Sequence, residues 1–300
     1  MADPFDAAEF QRIIDHDNHD TRRAMRELSQ DPIFIPRYNV SLRYQREIAL
    51  EQLKKIADQG LVSVKDFGTN PHNIFTMHEL IGSINNSLST KFTVQFNLFG
   101  GTVYALGTDR HHYLLPQIDN LSAVGCFGLT EVGYGNNAVE METTATWDPE
   151  TKEWIINTPT TLSYKYWITN GAMHAHYCVV FAQTYVNGNN EGIHAFLTRI
   201  RNDDLTNCDG VYIEDMGFKL ECNGVDNAKL GFNNVRIPRE NILNHYADMS
   251  EDGEFSDSIV KKRDRFLAVA DRLLSGRICI ASMTIGGMKK SMLSTYRYAT

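Results

Sequence analysis

From Arg265 to Ala299 the chain runs for about 35 residues without a proline, as "RFLAVADRLLSGRICIASMTIGGMKKSMLSTYRYA". Its apolar residues, among them Phe266, Leu267, Val269, Leu273, Leu274, Ile278, Ile280, Met283, Ile285, Met288, Met292 and Leu293, do not keep to one stripe. A helix apolar on every side is buried on every side. Burying each such side chain is worth roughly 1.5–3 kcal/mol. Leaving half of them wet would cost more than a marginally stable domain holds. The sequence stops at Thr300, so the expectation is that the cover for this helix comes from another chain, a second copy, or residues outside these 300.

The totals narrow the class. With 42% hydrophobic and 22% charged residues in 300, a sizeable core is available, and the length is that of about two domains. A net charge of −8 argues against nonspecific nucleic-acid binding, which needs Lys and Arg to neutralise phosphates. The cysteines at 126, 178, 208, 222 and 279 are scattered, odd in number and without a CxxC pair, so neither a disulfide framework nor a zinc cage is expected. The opening "MADPFDAAEF" has no basic region followed by an apolar one, as a secretory leader would. The most apolar windows, 92–107 and 273–288, are too short for a bilayer, and the second carries Arg277, so no membrane span is expected.

The first 120 residues or so read as helical. In "SLRYQREIALEQLKKIADQG", Ala49, Leu53, Ile56 and Ala57 recur at helical spacing, Lys54 and Lys55 sit in the last turn, and Gly60 supplies the stop. Thr76 and Glu79 in "TMHELIGSINNSL" have the spacing of a capping box. "KFTVQFNLFGGTVYALG" reads as a buried helix with Gly100-Gly101 for close approach, a strand being possible for its first half. From about 125 the texture alternates: "VEMETTATWDPETKEWIINTP" reads as a hairpin around Asp148-Pro149, and "CVVFAQTYVNGNNEGIHAFLTRI" as another across Asn187 to Asn190. "VYIEDMGFKL" and "AKLGFNNVRIP" continue the pattern until Pro238. At least six strands in about 115 residues imply a small barrel or sandwich. The expected fold is therefore α+β and multi-domain: a helical domain over 1–124, a β-barrel or sandwich over 125–245, and the first helix of a C-terminal helical bundle over 260–300.

Local chemistry is sparse. Gly133 to Ala138, "GYGNNA", matches the dinucleotide fingerprint G-x-G-x-x-A, but a strand-like run follows where that fold needs a helix. His16 and His19 in "IIDHDNHDTR" lack the glycine and glutamate of a calcium loop and read as solvated polar helix. His111 and His112, being adjacent, point apart on a helix. His174 and His176 would share a face of a strand, with no third metal ligand evident. No G-x-S-x-G elbow is present. "SYKYWITNGAMHA", residues 163–175, reads either as a buried strand ending in an Asn-Gly turn or as a wall for something flat.

Taken in order, "CFGLTEVGYGNN", "KYWITNG", "GFNNVRIPRENIL" and "SGRICIA…RYA" resemble the acyl-CoA dehydrogenase and oxidase superfamily. "IIDHDNHDTRRAM…RYNVSL", "GTNPHNIFTMHEL" and "TKFTVQFNLFGGTV" resemble its peroxisomal acyl-CoA oxidase branch. The resemblance covers essentially all 300 positions. It implies bound FAD, with Trp167 packed on the isoalloxazine, Thr169 bonding its N5/O4 edge and Thr130 its pyrimidine side. Gly135 and Asn136 match the loop that approaches FAD phosphate and the CoA substrate, with Asn136 standing where the family carries serine. Arg277 matches an arginine that supports the acyl-CoA end, the bland reading being a helix-end arginine paired with Asp271 or Asp264.

The implied reaction is α,β-dehydrogenation of a fatty acyl-CoA to the trans-2-enoyl-CoA, with O2 reduced to H2O2. In the peroxisome, implied by the resemblance although "RYAT" is no targeting tripeptide, this opens fatty-acid β-oxidation. Two alternatives stand beside it: a dehydrogenase passing electrons to a flavoprotein, and a non-catalytic subunit that keeps the fold. The family's glutamate base lies beyond the stretch where this sequence stops, as does the Arg-x-Gln-Phe-Gly segment that helps hold FAD. A few relatives place the glutamate where this chain has Gly276, and Glu131 and Glu140 match no base position, so no catalytic residue is assigned.

Overall fold

The computed structural model describes residues 5–259 and 261–300. Residues 1–4, part of the opening in which no leader pattern was read, and Val260, the first position of the third expected unit, lie outside the described set. Among the described residues nine α-helices precede the first strand: α1 (Ala7–Asp15), α2 (His19–Leu28), α3 (Leu42–Ala57), α4 (Asp66–Thr69), α5 (Pro71–Gly82), α6 (Asn86–Phe92), α7 (Gly101–Leu106), α8 (Asp109–His112) and α9 (Leu115–Asp119). α3 obeys its local signals: Ser41 accepts from the Tyr44 amide at 3.2 Å, and Gly60 takes a φ of +62° just past the end.

Two local readings are corrected by tertiary contacts. The "HDN" stretch is a break between α1 and α2, not a solvated helix. Asp15 is buried against Arg26, and Asp17 bonds Arg22 at 2.9 Å. Thr76 and Glu79 do not cap a helix start, because Pro71, pre-set in φ, opens α5 five residues earlier. Both turn inward instead, Thr76 donating to Asp17 at 2.9 Å and Glu79 pairing with Arg22 at 3.0 Å and Lys289 at 2.6 Å.

α6 and α7 are two ends of one rod joined by a π-helical segment, Thr93–Gly100. π-helices are rare and gather at functional sites. This one is clamped on two sides. Gln95 donates to the carbonyls of Ile118 and Ala123 and accepts from the Gly125 amide at 2.9 Å. Asn97 donates to the Arg272 carbonyl at 3.2 Å and accepts from Ser275 at 2.8 Å.

The strands are β1 (Gly125–Gly128), β2 (Thr144–Asp148), β3 (Glu153–Asn157), β4 (Lys165–Ile168), β5 (Tyr177–Val186), β6 (Asn189–Arg199), β7 (Val211–Asp215), β8 (Ala228–Phe232), β9 (Val235–Pro238), β10 (Ala247–Met249) and β11 (Phe255–Asp257). β5 is the spine of a curled six-stranded sheet in the order β1-β5-β2-β3-β9, with β6 antiparallel along its other edge. A second sheet, β4-β8-β7, packs over it. "CVVFA" is apolar at every position because β5 is covered on both faces. Val179 and Phe181 join the helical core, while Cys178, Val180 and Ala182 join the core between the sheets. The β10–β11 hairpin carried no expectation from sequence.

After β11 come α10 (Lys262–Val269) and α11 (Arg272–Ala299). α11 lies against α5 through small residues. A Cβ on Gly286 would sit 1.8 Å from the Glu79 carbonyl oxygen, and one on Gly82 would sit 2.5 Å from that of Met283. The expectation of burial on every side is not met within the described residues: only Gly276, Cys279 and Gly286 of α11 are buried, because α11 packs on α5 along one face, while Leu274, Ile278, Ile285, Met288 and Met292 are exposed. Among the described residues no helix is long and apolar enough to cross a membrane.

Candidate functional site

Beyond β1 the chain runs on as Leu129-Thr130-Glu131 beside β4. The Tyr166 amide donates to the Thr130 carbonyl at 2.9 Å, and the Thr130 hydroxyl donates to the Tyr166 carbonyl at 2.7 Å. β4 keeps register with β8 at Lys165↔Leu230 and Ile168↔Ala228, so three steps on one strand face two on the other. The extra residue makes a bulge. Within it Trp167 takes a φ of +65°, and its ring stands 56% exposed instead of buried. The strand and the Asn-Gly turn of one reading of "KYWITNG" are both present, but the strand is not buried at Tyr166 and Trp167, which leaves the indole free to serve as the wall of the other.

Beneath this wall lies a buried ion pair, Lys165 to Glu131 at 2.9 Å, both side chains fully enclosed. Glu131 also accepts from the amides of Glu142 and Thr143 and from the Thr143 hydroxyl. Lys165 donates to the carbonyls of Leu129 and Phe181. Burial pulls the Lys165 ammonium below its usual range, with Glu131 opposing. Glu131 is thus saturated with donors and cannot serve as a base.

The turn after the wall is anchored from behind. Asn170, with φ +66°, accepts from Lys91 at 2.9 Å and donates to the Gly125 carbonyl at 3.2 Å. Lys91 is ion-paired with Asp226, and neither is exposed. Burial pushes the Asp226 carboxyl up, but Lys91 and His174 outweigh it and hold the carboxyl far below the usual range. His174 and His176 follow the Asn-Gly turn in non-strand backbone, so the shared strand face expected of them is not formed. His174 instead faces Asp226 at 3.4 Å and Glu47 at 3.4 Å.

In front of Trp167 opens a cavity of about 430 Å³. Thr130, Gly135, Asn136, Trp167 and Thr169 all line it. Gly135 has φ +51° with no protein atom within 4 Å of where a Cβ would stand. Asn136 is exposed and, among the described residues, has no hydrogen-bond partner, leaving its amide free for a ligand. Apolar cover comes from Val94 and Leu98 of the π segment, from Phe127 and Leu129, and from Phe266 and Leu273 of α10 and α11. A mostly apolar hollow of this size with a few convergent polar groups is the usual form of a cofactor site. It fits a flat ring laid on the indole with polar edges at the two hydroxyls.

Arg277 does not line the cavity. It is exposed on α11, and among the described residues it forms no ion pair with either Asp264 or Asp271, the latter holding Arg272 instead. The "GYGNNA" loop leads into a single 3₁₀ turn, Ala138–Glu140, and then β2, not into the helix a dinucleotide fold requires. Sequence reasoning missed Val94, Leu98, Phe266 and Leu273, since nothing local separates a cavity-lining apolar residue from a core one. It also missed Asn227, whose amide reaches Thr169 at 3.3 Å.

The profile described as "Acyl-CoA dehydrogenase, middle domain" matches residues 126–235. The chain is 40% identical over 272 residues to "Acyl-coenzyme A oxidase 3, peroxisomal" of Arabidopsis thaliana, covering 89% of this chain and 40% of that protein. It is 34% identical over 276 residues to "Peroxisomal acyl-coenzyme A oxidase 3" of Homo sapiens, covering 91% and 39%. Among solved structures it superposes on acyl-CoA oxidase 1 of Yarrowia lipolytica with a TM-score of 0.79 at 28% identity, covering 90% of this chain and 39% of that one. Acyl-CoA oxidase-2 of Caenorhabditis elegans, solved with FAD, ascaroside-CoA and ATP, gives 0.71 at 26% identity, covering 84% and 39%. The chain thus spans about 40% of the length of the curated relatives it matches. These similarities agree with the curled sheet, and over the part matched the chain is homologous to the peroxisomal acyl-CoA oxidases of the acyl-CoA dehydrogenase and oxidase superfamily.

Proposed function

We propose that the cavity in front of Trp167 holds the isoalloxazine of FAD and that the protein oxidises a fatty acyl-CoA to its trans-2-enoyl-CoA, passing the electrons to O2 as H2O2. The observation that carries this reading is that Thr130, Gly135, Asn136, Trp167 and Thr169, dispersed over 40 positions, line one hollow. The indole offers a flat partner worth about 0.5–1.5 kcal/mol beyond the area it buries. Thr130 and Thr169 flank it and would hold the polar edges of the ring, and Asn136 and the Gly135 backbone would meet phosphate. When bound, FAD supplies the acceptor for the substrate's β-hydride.

Val94, Leu98, Phe266 and Leu273 exclude water from the reacting face. A larger groove of about 890 Å³ lies between α6 and α11, and Ile280 and Met283 give it a side suited to an acyl chain. The base for the α-proton is not assigned, since Glu131 is spent and, among the described residues, the cavity lining holds no carboxylate. On the exposed face of α11 we place the surface covered by a second copy or a partner chain. The names of the relatives support a peroxisomal location.

The test is a visible spectrum of the purified holoprotein followed by anaerobic reduction with a fatty acyl-CoA and mixing with air. A flavin band that bleaches and returns rapidly is expected. A colourless protein would reduce the chain to a fold-keeping subunit, and return over minutes would assign it to the dehydrogenases.

A further inference from the structure

Two hydroxyls flank Trp167 on the cavity wall, and their partners force opposite polarities on them. The Thr130 hydroxyl donates to the Tyr166 carbonyl at 2.7 Å. A carbonyl can only accept, so the proton of Thr130 is spent and only its lone pairs reach the cavity. The Thr169 hydroxyl lies 3.3 Å from Nδ2 of Asn227, and the same Nδ2 lies 3.4 Å from the Trp167 carbonyl. Because that carbonyl accepts only, the amide end facing the pair has to be NH2, which resolves an orientation that shape alone leaves open. Thr169 therefore accepts from Asn227 and keeps its own proton for the cavity.

We propose that Asn227 is a positioning residue: it sets Thr169 as a donor toward the bound ring and so favours the ring's oxidised form. This rests on the flavin reading above. The oxidised ring offers a nitrogen that only accepts, whereas the reduced ring carries an N–H at that atom. A fixed donor on the wall suits the first and meets the second donor to donor.

The interior holds Asn227 in this role. The residue is 3% exposed, and its backbone carbonyl accepts from the Met216 amide at 3.1 Å. Its neighbour Asp226 accepts from the amides of Met173 at 2.8 Å and His174 at 3.2 Å and is paired with Lys91. The aim of the amide is thus built into the fold before any ligand arrives.

The midpoint potential of the flavin in the holoprotein tests this, measured for wild type, Asn227→Leu, Thr169→Val and the double variant. Loss of one neutral hydrogen bond predicts a roughly 2- to 12-fold fall in the preference for oxidised over reduced flavin in Asn227→Leu. It is read as a rise in potential, about 30 mV for tenfold. With Thr169→Val in place, Asn227→Leu adds nothing further. A merely structural role would weaken both oxidation states alike and leave the potential unmoved. An unmoved potential, or additive shifts in the double variant, overturns the inference and leaves the flavin reading standing; a wild-type protein without flavin overturns both. Should Asn227→Leu fail to fold, Asn227→Ala, which leaves room for a water against the Trp167 carbonyl, carries the same comparison.

Discussion

Trp167 stores strain at the place where the site needs shape. A left-handed φ costs an L-residue roughly 1–2 kcal/mol, and a ring left 56% exposed offsets little of it by burial within the chain. Trp167→Gly is expected to leave the urea midpoint within about 1 kcal/mol of wild type, because relief of that φ and the added chain entropy of glycine oppose each other. The same variant loses the flat partner and should retain flavin about tenfold less tightly, as measured by equilibrium dialysis. Function and stability separate at this residue. At His78 the issue is stability, since it is a fully buried imidazole held by the Ile74 carbonyl and the Thr93 hydroxyl. Burial pulls its pKa from 6.5 to about 4. The unfolded chain therefore binds the proton first, and stability is full above about pH 6.5 and is lost as pH falls toward 4, by about 3 kcal/mol at 1.36 per unit. His111 and His194, also pulled down by burial, add to the same window. Asp226 does not, because its depressed carboxyl keeps its charge until strong acid. Urea midpoints across this range should slope less in His78→Gln than in wild type.

Helix on helix, the contact that matters most is α5 against α11. Its closeness is set by Gly82 and Gly286, where a side chain would collide with backbone that cannot yield. Gly286→Val should force the helices apart, cost roughly 1–3 kcal/mol as overpacking does, and strain the Lys289–Glu79 pair one turn away. Because Asn97 of the π segment grips the first turn of α11, whose Leu273 closes the cavity, the displacement should also loosen flavin. A variant with lowered melting temperature and wild-type cofactor retention would show the two sites to be independent. At this scale the sequence was legible where a signal is local. α3 follows its serine cap and final glycine, and the β2–β3 and β5–β6 hairpins follow their turn residues. It was illegible where the partner is distant: Thr76 and Glu79 have capping-box spacing, yet Arg22 and Lys289 decide what they do.

At the scale of the whole molecule, α11 presents a surface that the described residues do not cover. Leu274, Ile278, Ile285, Met288 and Met292 fall at steps of four, seven, three and four, the period of a seam for another helix. Ile285→Glu together with Met292→Glu is expected to reduce the assembled mass seen by light scattering. An assembly of unchanged mass would remove that face from the list of interfaces. The rest of the molecule is arranged around one hollow, with β1 and β4 supplying the wall, the π segment the floor, and α10 and α11 the closing side.

The sequence by itself determined the broad succession of helices, strands and a final long helix, and the superfamily it resembles, because turn chemistry and alternation act over a few residues and motif spacing survives without contacts. Tertiary structure alone decided that Glu131 is a buried partner of Lys165, that Arg277 stands away from the cavity, and that Asn227 reaches Thr169 from 58 positions away. Each depends on which groups meet after the chain closes on itself. Desolvation and hydrogen-bond polarity exist only once those neighbours are in place.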